Sequence, residues 1–233
     1  METSSQIEKI EIRIRTWIRS IRYSLVTADV HFNNYWALQE FRGIAESSLA
    51  LDRAPGFWMS TIDAHRDRGI LLVWKILIDQ SKESRSIPSL LKYVMNVPEV
   101  FTRKRFRSRI ADSVIVDELV ADYSVPDKFW LAKNQKIIDS IPFETESISK
   151  WRHLLIAHSD MRVIEGNYKL SEEVPISRES IRILTESAQT LINNISGLFD
   201  ASMWTPGAAP RDIRLGLERL IQRESAGTQD SKN

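Results

Sequence analysis

One helical segment carries the residues whose types could do chemistry, an arginine followed by two histidines. It reads ISKWRHLLIAH from Ile148 to His158 and contains Arg152 and His153. At about 100° per residue of an α-helix, Arg152 and His158 fall on one arc of apolar side chains, whereas His153 falls on the opposite arc. A cation rarely lies on an apolar arc unless it has a partner or a task. Arg152 and His158 are therefore the first candidates for a functional site.

Several other chemistries are excluded by what the sequence lacks. The chain has no cysteine, which excludes a disulfide framework, a thiolate metal site and cysteine catalysis. It also has no glycine-rich phosphate loop, no HExxH zinc pair and no GxSxG nucleophile turn. His153 and His158 are five positions apart, which places them about 140° apart on an α-helix, too far around to share one ion. The sequence therefore predicts neither a metal site nor a cofactor.

The segment from Lys150 to Asp160, KWRHLLIAHSD, resembles a motif of the HEPN superfamily. HEPN proteins carry an arginine and a histidine separated by four to six residues, commonly with a polar residue directly after the arginine; here the separation is five residues. The Ala-His ending is similar to the signature of the abortive-infection branch. A second likeness is the upstream stretch LLVWKILIDQ, which closes on a Leu-x-Asp and leads to the serine-capped stretch SIPSLL. Together these likenesses cover about residues 57–164.

This resemblance implies an all-α protein, a HEPN-like antiparallel helical bundle with additional helices at the N- and C-terminal ends. It implies the activity of a metal-independent endoribonuclease of bacterial defence or toxin type. In such an enzyme the RNA 2′-hydroxyl attacks its adjacent phosphate, while His158 moves protons and Arg152 stabilises the charge on the phosphoryl oxygens. His153 would orient this pair or contact RNA.

The resemblance also implies an active site formed between two copies of the chain. Arg152 and His158 are roughly 9 Å apart along an α-helix and about 120° apart around it, too far to hold one phosphate jointly. A two-fold axis would set Arg152 of each copy near His158 of the other. The apolar arc, with Trp151 and Leu155, is also too broad to face water on a lone helix. We therefore expect a homodimer.

Two alternatives stay open. Arg152 could extend to solvent or pair with a buried carboxylate, while His158 caps the end of its helix. The protein could also be a non-catalytic HEPN scaffold that binds RNA, a nucleotide or a protein in a defence or toxin–antitoxin complex. The presence of both Arg152 and His158 favours catalysis. An antitoxin or another defence-system protein is an expected partner in either case.

A basic run, TRKRFRSR over residues 102–109, is the candidate RNA-binding surface. Its cations are Arg103, Lys104, Arg105, Arg107 and Arg109. Closely spaced cations around one aromatic ring, Phe106, would suit an RNA backbone track. The alternative is a solvated helix face balanced by the acidic residues Asp112, Asp117 and Glu118.

Apolar residues spaced by three and four predict helices along most of the chain. The predicted helices cover about residues 7–25, 28–49, 57–80, 86–97, 98–120, 144–159, 177–199 and 212–223, with a further one opened by Pro126. The stretch between Met161 and Glu173 contains Gly166-Asn167 and favours a small hairpin or an irregular loop. His65, in a polar stretch, is expected at the surface rather than in a polar network.

Composition and charge describe an ordinary globular chain. With 32 basic and 31 acidic residues, the net charge of +1 gives no bulk argument for nucleic acid, so any RNA binding must come from local clusters. The N-terminus alternates charge with isoleucine, which predicts neither a signal peptide nor a membrane span. We expect one domain over residues 1–223, a polar tail over 224–233 and a cytoplasmic location.

Overall fold

The fold was analysed in a computed structural model, which describes residues 4–44, 51–81, 84–157, 174, 176–205, 216 and 218–219. Within these residues there are eight α-helices and no β-strand, which confirms the all-α class. The helices are α1 Ser4–Arg42, α2 Pro55–Leu77, α3 Ile87–Asn96, α4 Arg103–Arg109, α5 Val116–Ala121, α6 Lys128–Asp139, α7 Pro142–Trp151 and α8 Arg178–Asp200. A 3-10 turn at Pro98–Val100 precedes α4, and a π-helical turn at Arg152–Ala157 follows α7.

The helix α1 is continuous, so the prediction of two helices over residues 7–25 and 28–49 is wrong. Its apolar face runs across the predicted break, because Leu25, Ala28 and Phe32 keep the spacing of three and four and are all buried. No proline or glycine lies within α1 to end it.

The stretch over residues 98–120 forms three short elements, not the single basic helix that its composition predicts. The Thr102 hydroxyl begins α4 by accepting a hydrogen bond from the Arg105 amide. After α4 the chain turns, and the Ser113 amide donates to the Ile110 carbonyl at 2.9 Å. The turn separates α4 from α5 and so confines the basic run to a helix of seven residues.

Two helix starts lie where the sequence predicts them. The Ser86 hydroxyl caps α3 by accepting from the Ser89 amide, with Pro88 in the first turn. The Ser177 hydroxyl caps α8 in the same way, accepting from the Ser180 amide at 2.9 Å. Both starts follow from local side-chain chemistry alone.

The chain divides into two compact units, Met1–Leu25 with Val73–Thr205, and Val26–Leu72 with Pro206–Asn233. In the first unit α8 is central and packs against α3, α4, α6 and α7. One face of α8 is completely buried and consists of Leu184, Ala188, Leu191, Ile192, Ile195 and Phe199. This face is the common core of the helices that carry the candidate site residues.

The second unit contains the end of α1 and the beginning of α2. Its core includes Leu38, Phe41 and Ile62. Gly69 permits a close approach between the two helices, because a Cβ atom at this position would lie 2.8 Å from Cζ of the buried Phe32 ring. A side chain at residue 69 would therefore force this ring to move.

Two histidines of the second unit are hydrogen-bonded to each other. The Nδ1 atoms of His31 and His65 lie 2.9 Å apart, and both side chains are half-buried. One ring donates its Nδ1–H to the lone pair on Nδ1 of the other, so at least one imidazole must be neutral. His65 is thus part of a polar pair and not the surface histidine that the sequence favours.

From the hydrogen-bonded pair of His31 and His65 we predict that the protein loses stability in acid. Burial lowers the pKa of both histidines below the ordinary value of 6.5, and the charges of His65 and Arg68 lower the pKa of His31 further. As the pH falls through about 6.5, the unfolded chain therefore binds more protons than the folded chain. We expect the free energy of unfolding to be highest above this pH and to decrease as the pH falls toward the lowered pKa values. His65→Gln should flatten this dependence in urea unfolding measured between about pH 7.5 and about pH 5.5, and an unchanged slope would contradict the prediction.

Other predictions fall on residues outside those described. They are the hairpin or loop over 161–173, most of the helix over 212–223 and the tail over 224–233. The single domain over 1–223 also stays a prediction. Among the helices described, none is both long enough and apolar enough to cross a membrane.

Candidate active site

The end of α7 is anchored in the core of the first unit. Ile148 and Trp151 are only 1% and 4% exposed. The Trp151 indole N–H donates a hydrogen bond of 2.7 Å to the Val174 carbonyl. These two side chains of the apolar arc are covered by their own chain and need no second copy to cover them, while the homodimer itself stays a prediction.

The backbone widens directly after Trp151. A π-helical turn begins at Arg152 and continues to Ala157. Such turns close hydrogen bonds from residue i to i+5 and occur frequently at functional sites. The spacing of a regular α-helix therefore does not apply over residues 152–157. His158 itself lies outside the described residues.

The Arg152 side chain is half-buried and lies over a tryptophan ring. Its Cζ atom is 4.4 Å from the centroid of Trp74, which is on the last turn of α2. This distance is that of a cation–π contact. With the other residues that the structure describes, the Arg152 guanidinium makes no hydrogen bond or ion pair. Within that part of the chain, the alternative in which Arg152 pairs with a buried carboxylate is not observed.

Asp79 lies within electrostatic range of this guanidinium. Its carboxylate accepts a hydrogen bond of 3.0 Å from the Ser81 amide. Burial acts to raise the pKa of Asp79, but hydrogen bonds from Ser81 and Ser84, together with the charge of Arg152, outweigh burial and lower it. Asp79 is therefore ionised near neutral pH and attracts Arg152.

His153 is exposed, as its place on the opposite arc predicts. Arg152 and His153 are thus consecutive in the chain but differ in burial. Of the three predicted catalytic residues, the structure positions these two, and it brings Arg152 together with Trp74 and Asp79.

Sequence reasoning missed both Trp74 and Asp79 as site residues. Asp79 is the aspartate of Leu77-Ile78-Asp79, the Leu-x-Asp likeness to the abortive-infection branch, and this likeness is the signal from which it could have been found. Trp74 is one of the seven tryptophans of the chain, and nothing in its spacing distinguishes it from the others.

A family model described as HEPN_AbiU2: AbiU2 matches residues 13–216. The chain belongs to the AbiU2 family of HEPN proteins. This membership confirms the resemblance to the abortive-infection branch of the HEPN superfamily and gives the protein a defence-related family. No significant match was found among curated proteins or among solved structures.

In this AbiU2 protein the basic run lies on α4, and three of its cations are exposed. Lys104 is exposed at the first turn of the helix. Arg103 donates a hydrogen bond of 3.2 Å to the Tyr123 carbonyl, and Arg107 forms an ion pair of 2.6 Å with Asp117. The Arg107–Asp117 pair supports part of the alternative in which acidic residues balance this face. A pair exposed to this degree contributes little to stability.

The other two cations of α4 are directed into the protein. Arg105 and Arg109 both contact the Glu11 carboxylate of α1, at 3.2 Å and 2.9 Å. The Arg109 side chain is only 4% exposed and also donates to main-chain carbonyls of Val100 and Phe199. Burial lowers the pKa of Arg109, and the Glu11 charge acts in the opposite direction. In this position Arg109 fastens α4 to the core.

Proposed function

We propose that this AbiU2-family protein is a metal-independent endoribonuclease of bacterial defence or toxin type, with an active site composed of two copies of the chain. The observation that carries the proposal is the state of Arg152, a half-buried cation held by an aromatic face at the start of the family-like arginine–histidine segment. A guanidinium in such a position can bind a phosphate that approaches from solvent.

In the proposed reaction a new bond forms between a ribose 2′-oxygen and the adjacent phosphorus. The bond from this phosphorus to the 5′-oxygen of the next nucleotide breaks. His158 takes the proton of the 2′-hydroxyl and returns a proton to the leaving 5′-oxygen. Arg152 donates hydrogen bonds to the non-bridging oxygens, where negative charge builds. The products carry a 2′,3′-cyclic phosphate and a 5′-hydroxyl, and His153 orients the pair or contacts RNA.

The proposal includes a homodimer because each chain supplies one Arg152 and one His158. A two-fold axis beside the π-helical turn brings Arg152 of one copy near His158 of the other. This reason for a dimer is independent of the apolar arc, whose residues Ile148 and Trp151 pack within their own chain.

Exposed cations of α4 are the proposed RNA track. Arg103, Lys104 and Arg107 supply contacts to phosphates, and Arg105 adds a partly exposed charge. Arg109 is left out of this surface because its side chain is buried. An antitoxin or another defence-system protein that restrains the enzyme is part of the proposal.

RNA cleavage in the presence of a metal chelator tests this function. We expect the wild-type protein to cleave single-stranded RNA at the same rate with and without EDTA, and to leave 2′,3′-cyclic phosphate ends that mass spectrometry identifies. Light scattering of the same sample should give the mass of two chains. A protein that is inert on every RNA tried would favour the non-catalytic scaffold. A monomer mass at all concentrations would contradict the composite site.

A further inference from the structure

Arg109 and Arg152 of the first unit both lie over aromatic rings but use their N–H groups differently. Arg109 lies over Phe199 at 4.6 Å, is almost fully buried, and donates to main-chain carbonyls and to Glu11. Arg152 lies over Trp74 at 4.4 Å, is half-buried, and makes no hydrogen bond to another described residue. The first arrangement is that of a structural cation. In the second, no described residue accepts a hydrogen bond from the arginine, which an aromatic ring holds in place.

An aromatic ring can hold an arginine side chain in place without using its N–H donors. The ring attracts the guanidinium through its charge and flat surface, and this attraction does not require the N–H groups. The N–H donors then remain for the planar, two-point binding of a phosphate. A carboxylate partner would instead occupy two donors and cancel the charge.

Asp79 is the carboxylate that could become such a partner. Its charge and that of Arg152 already interact, and it follows α2 only two residues after the helix ends. Trp74 precedes it on the last turn of the same helix. In the structure the guanidinium lies on the ring, and it makes no hydrogen bond or ion pair with the Asp79 carboxylate.

We infer that Trp74 is a positioning residue for the proposed ribonuclease reaction, which holds Arg152 ready for phosphate and keeps it from pairing with Asp79. The inference rests on the proposed function and adds to it a residue that acts through Arg152. Trp74 itself need not contact the RNA.

Cleavage kinetics of four variants test this role. We expect Trp74→Leu to lower kcat/KM by about 2- to 30-fold, the range of a cation–π contact, and Trp74→Phe to lower it less. Trp74→Leu combined with Asp79→Asn should recover most of the loss, because the amide cannot neutralise Arg152. Trp130→Leu, which removes a half-buried tryptophan of α6, is the matched control and should cleave like the wild type. Absence of rescue by Asp79→Asn would overturn the inference, since a purely structural role of Trp74 would not respond to that change.

A double-mutant cycle tests the contact between Trp74 and Arg152 through protein stability, without measuring RNA cleavage. Trp74→Leu and Arg152→Met, alone and together, should show a coupling of about 2- to 30-fold in the unfolding equilibrium constant. If Trp74→Leu does not fold, Trp74→Phe replaces it in the cycle, with a smaller coupling expected. Additive effects of the two changes would overturn the inference. If the wild-type protein cleaves no RNA, the proposed function fails, but the cycle still decides whether Trp74 holds Arg152.

Discussion

Replacing His158 by alanine is expected to lower the rate of RNA cleavage by roughly 10²–10⁴-fold, the usual loss when a general acid or base is removed. In the proposed reaction no other group accepts the proton of the 2′-hydroxyl, so the barrier to bond formation rises while RNA binding is retained. Single-turnover cleavage with saturating RNA measures this effect on the chemical step alone.

The control for this prediction separates catalysis from folding. His158→Ala should keep the circular dichroism spectrum and the urea midpoint of the wild type, because a residue that acts only in the chemical step can be replaced without loss of the fold. Lys133→Ala, on the exposed side of α6, should cleave like the wild type. Wild-type cleavage by His158→Ala would reject the catalytic role of this histidine and favour the non-catalytic scaffold.

Replacing Arg109 by glutamine is expected to destabilise the protein by about 3 kcal/mol, near the lower end of the cost of breaking a buried ion pair. Glutamine cannot reach Glu11 and the main-chain carbonyls together, and it removes the charge that lies over Phe199. Glu11 keeps its ion pair with Arg105, which limits the loss of stability. Thermal unfolding should show a decrease in Tm of about 6–12 °C.

Lys104→Gln is the matched comparison, since it removes a neighbouring cation that is exposed. Its stability should stay within about 0.5 kcal/mol of the wild type. Its RNA affinity should fall. The slope of the logarithm of affinity against the logarithm of salt concentration should decrease in magnitude by about one, which corresponds to one lost phosphate contact. If Arg109→Gln instead folds with wild-type stability and loses RNA binding, Arg109 belongs to the RNA surface after all.

Local features of the chain could be predicted from the sequence because they depend on residues close together in it. The all-α class follows from apolar residues that recur every three or four positions. The starts of α3 and α8 follow from Ser86 and Ser177, whose hydroxyls bond to amides three residues ahead. The arginine–histidine motif is likewise a matter of residue types and spacing within one segment, and it led to the correct family.

Helix boundaries were only partly predictable, since caps and burial compete with the apolar pattern. In α1 the buried apolar face continues through Ala28 and Phe32, so the helix runs across the break predicted between residues 25 and 28. In the basic run, Thr102 and the turn near Ser113 divide what the composition predicts as one helix.

The surroundings of the arginines were decided only by the tertiary structure. Lys104 and Arg109 belong to one basic run, and the sequence assigns both to RNA. Arg109 is buried because Glu11 and Phe199, from nearly opposite ends of the chain, meet beside α4. In the same way Arg152 finds Trp74, a ring on a helix far upstream. Which groups surround a side chain depends on how distant segments pack, and a pattern of neighbours along the sequence carries no information about that packing.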